Sequence, residues 1–185
     1  MPFDRAWAWD LLNQYTSNQS LVKHMLAVEA AMRAYAGKFS ENVEEWGVIG
    51  LLHDFDYERW PAKEDHPYRG AEILRTQGVP EDWIRTIMSH ADYTGVTRDT
   101  LRDRVLFAVD ELCGFLTACA YVRPDRKIAT VEVDSVKKKF KQKSFAAQVS
   151  RDDITGGAEA LGVSLDEHIA FVRDAMATVA ADLGL

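Results

Sequence analysis

Cysteine is nearly absent from this chain: Cys113 and Cys119 are the only two in 185 residues, and they form no CxxC pair. That excludes a disulfide framework and a cysteine-ligated zinc module, and both read as small hydrophobic side chains in an apolar segment. Long apolar runs are missing too, none approaching the roughly 20 residues that span a bilayer. The opening Met1-Pro2-Phe3-Asp4-Arg5 lacks a basic stretch followed by an apolar one, so no signal peptide and a reducing cytoplasm are expected. Positive charge is in deficit, with 22 Lys and Arg against 29 Asp and Glu, a formal charge of −7. Nucleic-acid polymers and anionic membranes are therefore not the expected partners. Strand patterns are also scarce: Thr130-Val131-Glu132-Val133 alternates, but four residues build no sheet.

What is present is helical periodicity. A first helix is predicted over Asp4–Tyr15 and a second from an N-cap at Ser20 to about Ala36, with Leu21, Met25, Val28 and Met32 at three- and four-residue steps. Glu41–His53 reads as a third helix, apolar on all sides at Val48–Leu52 as a buried helix is. Pro67 suits the first position of a fourth helix ending near Gly78, and Pro80 opens a fifth with Trp83, Ile84 and Ile87. Thr100–Val122 is the longest and most apolar. Arg123-Pro124-Asp125-Arg126-Lys127 interrupts the pattern, and further helices follow, the last over Leu165–Leu183. Gly156-Gly157 reads as a helix-boundary pair. With 47% apolar and 28% charged residues, the whole predicts one soluble all-α domain spanning 1–185.

The histidines and aspartates stand out against this background. His24 shares a helix face with Leu21, Val28 and Ala31, so its imidazole points inward. His53-Asp54 directly follows Val48–Leu52, where neighbouring residues converge only if the helix ends. Asp110 is in phase with Leu106 and Cys113, and an inward carboxylate there is costly unless a cation or strong donors hold it. A lone inward histidine is usually a hydrogen-bonded core residue. Two imidazoles and two carboxylates on buried faces make a mixed N/O donor set suited to Mn, Fe, Co, Ni or Zn.

His24, His53-Asp54 and Asp110, in that order on successive helices, resemble the H…HD…D signature of the HD-domain superfamily. The resemblance covers about 18–122 and implies an all-α helical bundle, with about 135–185 as a helical C-terminal extension. His66-Pro67-Tyr68-Arg69-Gly70-Ala71-Glu72-Ile73-Leu74 is similar to a stretch of the two-metal members, and His90 falls where they place another ligand. The resemblance therefore implies a dinuclear site in which His24, His53, Asp54 and Asp110 hold one divalent transition metal. Asp54 would bridge to a second, held by His66 and His90. The chain departs from HD-GYP proteins, with Tyr57 in place of a lysine, Ala91 in place of a second histidine and no GYP after Asp92. Cyclic-dinucleotide hydrolysis is thus not the expectation. His168 lies outside the matched stretch and reads as a surface or partly buried structural residue.

The implied activity is hydrolysis of a small phosphorylated compound, a nucleotide or other phosphate ester, by a metal-activated hydroxide. Asp54, Asp56 and Glu58 are the candidate catalytic carboxylates, with Asp56, Glu58 and Asp92 as possible proton-transfer or ligand-supporting groups. Lys63, Arg69 and the basic run Lys137, Lys138, Lys139, Lys141 and Lys143 are candidates to hold substrate phosphate, the run reading otherwise as a solvated helix face. A diiron oxygenase of the same fold and a non-catalytic metal-binding sensor module are the alternatives.

Overall fold

Helices begin where the sequence offers a side-chain oxygen to the free backbone N–H groups of a first turn. In the computed structural model, which describes residues 2–185, Asp4 caps α1 (Arg5–Tyr15) by accepting from the Trp7 amide. Asn18, rather than Ser20, caps α2 (Gln19–Phe39): its Oδ1 takes the Ser20 amide, so the helix starts two residues early. Asn42 caps α3 (Val43–Leu52), and Thr100 opens α6 (Leu101–Tyr121) through a reciprocal capping box with Asp103. Pro67 and Pro80 stand just before α4 (Tyr68–Thr76) and α5 (Glu81–Ser89), one position earlier than a first helical residue. Ser150 caps α8 (Arg151–Ala160), and Ser164 caps α9 (Leu165–Ala177) with Glu167 completing a second capping box.

Further expectations are corrected. Thr130–Val133 is not a strand: Ile128–Thr130 is a 3-10 turn, and α7 (Val133–Phe140) starts at once. The apparent alternation reflects Ile128 and Val131 dipping into the core from a bent segment. The last helix breaks at Thr178-Val179, where i→i+3 bonds from both amides tighten the turn, before the short α10 (Ala180–Leu183). No strand occurs among the described residues, and no helix there is long and apolar enough to cross a membrane.

Side chains from α1 through α10 meet in one apolar core. α3 lies inside it, with every residue from Trp46 to Leu52 buried. It packs on α2, which also contacts α6 and α9. A Cβ at Gly50 would stand 3.2 Å from the Glu29 backbone and 2.9 Å from Met32 Cγ, so glycine lets α3 sit this close to α2. Gly156-Gly157 is not a helix boundary but lies within α8. A Cβ on Gly157 would meet Ala108 Cα at 2.6 Å, so the missing side chain lets α8 press against α6 two residues before Asp110.

A buried polar network fixes α5 against α6. Thr86 donates its hydroxyl to Asp103 Oδ1 at 2.6 Å, Arg85 donates to Asp103 Oδ2 at 3.1 Å, and Arg102 reaches Thr86, Asp82 and Glu45. Hydrogen bonds to charged groups typically contribute about 1.5–3 kcal/mol each, so this network holds the end of α5 in register with α6.

Candidate metal centre

Four helices and two turns deliver the six expected side chains to one place. His24 comes from α2 and Asp110 from α6, with 2.9 Å between His24 Nε2 and Asp110 Oδ1. α3 ends at His53, so the chain turns and Asp54 leaves the helix beside it. His66 precedes α4, and His90 stands at the end of α5. The donors form two overlapping clusters, His24–His53–Asp54 and Asp54–His66–His90, each with its atoms within 4.8 Å of one another.

Backbone and side-chain acceptors fix the ring orientations. His53 Nδ1 donates to the Gly50 carbonyl at 2.8 Å and His90 Nδ1 to the Ile87 carbonyl at 2.6 Å. His66 Nδ1 donates to Asp56 Oδ1 at 2.8 Å. A proton held on Nδ1 leaves Nε2 with its lone pair, and all three Nε2 atoms aim toward Asp54. Asp54 Oδ1 stands 3.2 Å from Nε2 of both His66 and His90, which are 3.3 Å apart. Metal–donor bonds of about 2.0–2.2 Å put neighbouring donors roughly 3.0–3.5 Å apart, from octahedral to tetrahedral angles, so the spacing suits one ion. His53 Nε2 stands 3.4 Å from Asp110 Oδ1 and 3.7 Å from Asp54 Oδ2.

Two atoms give the firmest fit to a cation. Among the described residues, His53 Nε2 and Asp54 Oδ1 are buried and make no hydrogen bond. An orphaned buried polar atom costs about 1–3 kcal/mol, and a cation bound between these side chains would satisfy both. The electrostatics agree. Burial would lower the His53 pKa, but Asp54 and Asp110 reverse that and push it up to about 9. His66 is likewise raised to about 9, burial opposing and the Asp54 and Asp56 carboxylates prevailing. Burial works to raise Asp54 and Asp110, yet the surrounding imidazoles hold both well below the usual carboxylate range. The two carboxylates thus make this place favourable for positive charge, as a cation site requires.

The centre opens into a cleft of about 670 Å³. Tyr57, Pro61, Lys63 and Tyr93 form one side, and Phe107, Glu111, Gln148, Val149 and Asp153 lie among its other lining residues. Lys63 is the single lysine or arginine among the described residues of the lining. Glu111 accepts the Ser150 amide at 3.1 Å, and burial, then the Asp110 charge, raises its pKa to about 7. Tyr93 donates its hydroxyl to the His66 carbonyl at 3.0 Å, bracing the turn that carries this imidazole.

Several expected residues stand elsewhere. Glu58 does not line the cleft: it accepts from the Ser17 and Asn18 amides and the Ser17 hydroxyl, tying the Asp54 turn to the α1–α2 break. Asp56 is 1% exposed and lies behind His66, out of a substrate's reach. Arg69 is exposed and paired with Asp65 and Glu72, and Asp92, at the cleft edge, with Arg98. Lys137, Lys138 and Lys141 are also absent from the lining, because Val136 buries the opposite face of α7 and Lys137 pairs with Asp166 of α9. His168 is not at the surface but fully buried. Sequence reasoning missed Glu111, Gln148 and Asp153. The first had a signal as the neighbour of Asp110; the others had none, because only the packing of α8 and the turn before it on α6 brings them there.

No solved structure matches the chain. The family model described as HD domain matches residues 21–114, just over half of the chain, and the five clustered side chains and Asp110 fall within that span. The chain belongs to the HD domain family, whose members are mostly metal-dependent hydrolases.

Proposed function

We propose that the protein is a metal-dependent phosphohydrolase acting on a small phosphorylated compound, a nucleotide or another phosphate ester. Two divalent ions drawn from Mn, Fe, Co, Ni and Zn would be held by His24, His53, Asp54, His66, His90 and Asp110, with Asp54 shared. The observation that supports it most is the fully buried His53, whose unpartnered Nε2 stands 3.4 Å from Asp110 and 3.7 Å from Asp54, a carboxylate with an unpartnered oxygen of its own. Such cations supply Lewis acidity, lowering the pKa of water and offsetting charge on phosphoryl oxygens.

The chain's own side chains do the rest. Lys63 stands at the cleft lip as a point charge for a phosphate oxygen, and Tyr57 and Tyr93 flank it. Glu111, whose pKa burial raises to about 7, lines the cleft and would protonate a leaving oxygen, a role for which Asp56, Glu58 and Asp92 were the sequence candidates. Activity of metal-reconstituted protein on a panel of phosphate esters, with Asp54→Ala as the blank, tests this reading. A panel with no turnover above that blank, for every metal supplied, would retire it.

Four imidazoles and two carboxylates also suit a pair of irons, so a diiron oxygenase is the second reading. Turnover that needs dioxygen and iron, and not zinc or manganese, would favour it.

A further inference from the structure

The Nδ1 atoms of His53, His66 and His90 are not held alike. His53 and His90 donate to neutral backbone carbonyls, those of Gly50 and Ile87. His66 donates to a carboxylate, Asp56 Oδ1, at 2.8 Å. The other oxygen of that carboxylate, Oδ2, accepts the Gly70 amide, also at 2.8 Å. Both oxygens are thus directed, one to the ring and one to the first turn of α4, and Asp56 is 1% exposed. Gly70 makes the approach possible: a Cβ there would lie 2.9 Å from the Asp56 carboxyl carbon and 3.0 Å from Oδ2. This is a built support for one ring, made from the turn after α3 and the start of α4.

We infer that Asp56 is a positioning residue that makes the two cation sites unequal. It fixes the proton of His66 on Nδ1 and leaves Nε2 as the donor, so the Asp54–His66–His90 site depends on it. The His24–His53–Asp110 side does not. A carboxylate behind an imidazole raises its basicity as a ligand, and loss of such support typically weakens metal binding by about ten- to a hundredfold. Asparagine at this position would fail in a defined way. If its oxygen accepts from His66, its amide faces the Gly70 N–H, donor against donor.

The inference rests on the two-cation reading, and calorimetric titration of the metal-stripped full chain with zinc separates the two. Wild-type protein is expected to take up two ions. In Asp56→Asn one binding step should weaken about ten- to a hundredfold while the other stays within about twofold. Asp103→Asn, which removes a buried carboxylate of the α5–α6 network, should lower the melting temperature and leave both steps unchanged. Wild-type uptake of a single ion would sink the two-cation reading and this inference with it. Two ions with both steps weakened alike in Asp56→Asn, or neither, would overturn the inference alone. Nitrogen NMR of the zinc-loaded wild type needs no variant to fold. His66 should be metallated at Nε2 with a hydrogen-bonded Nδ1–H, and metal at Nδ1 would equally overturn the inference.

Discussion

His53 and His168 are both fully buried, yet their surroundings are opposites. His168 is satisfied at both nitrogens by neutral partners: Nδ1 accepts the Tyr35 hydroxyl at 2.7 Å, and Nε2 donates to the Ala108 carbonyl at 2.8 Å. Burial there lowers its pKa, as expected for a base without an anion nearby. His53 is satisfied at one nitrogen only, and two carboxylates turn its pKa upward. A buried histidine is therefore read as a ligand or as a core residue from its second nitrogen and from the charge around it, not from its burial.

The largest expected effect is at the first of the two. His53→Ala or Asp54→Ala should abolish metal uptake at one cluster or both and take phosphoesterase activity to background, measured by metal analysis beside the ester assay. Cation binding also stabilises the native state, so added metal should raise the melting temperature of wild type and not of Asp54→Ala. Full metal occupancy in either variant would break the comparison at its root.

His66→Ala should come next, reducing two ions toward one while His24, His53, Asp54 and Asp110 keep theirs. His168→Ala should do the reverse. It leaves the Tyr35 hydroxyl without its acceptor, removes a second donor from the Ala108 carbonyl and opens a cavity, at a cost of about 2–4 kcal/mol in unfolding free energy, with metal content unchanged. If His168→Ala sheds metal while remaining folded, the two regions are not separate.

Acid sharpens the comparison further. The folded pKa of His168 lies below its usual value, so the unfolded chain binds this proton first. Its neutral form therefore supports full stability above about pH 6.5, and stability falls as pH drops below that. For metal-free His53 the sign is reversed: the stabilising proton is present below about 6.5 and lost as pH rises through about 9. Chemical denaturation of metal-stripped protein from pH 5 to 9, compared with His168→Phe, should show the acid-side loss shrink in the variant. An unchanged acid limb would assign that loss to other groups.

The smallest effects concern charge. Lys63→Ala should raise KM for a phosphate ester by up to about fivefold, since one exposed charge contributes roughly 1 kcal/mol. Neutralising Lys137, Lys138 and Lys141 together should leave KM unchanged, and a marked rise would bring α7 back to the substrate.

Much of this was legible in the residues. Helical spacing showed that His24 and Asp110 point inward and that the helix ends at His53-Asp54, since a side chain's direction follows from its place on its own helix. The caps at Asn18 and Thr178-Val179 were less legible, because neighbouring polar or β-branched residues compete for a boundary within a few positions. What lay beyond reach was which faces meet. The sequence by itself determined an all-helical chain with six candidate donors in order along it. Tertiary structure alone decided that Gly157 brings α8, with Asp153, onto α6, and that Asp56 stands behind His66. It also decided that Glu58 braces a loop, that the lysines of α7 face away and that His168 is sealed inside. Local periodicity sets a direction within one helix, whereas these outcomes depend on contacts between segments distant in the chain, which only the packing of the core selects.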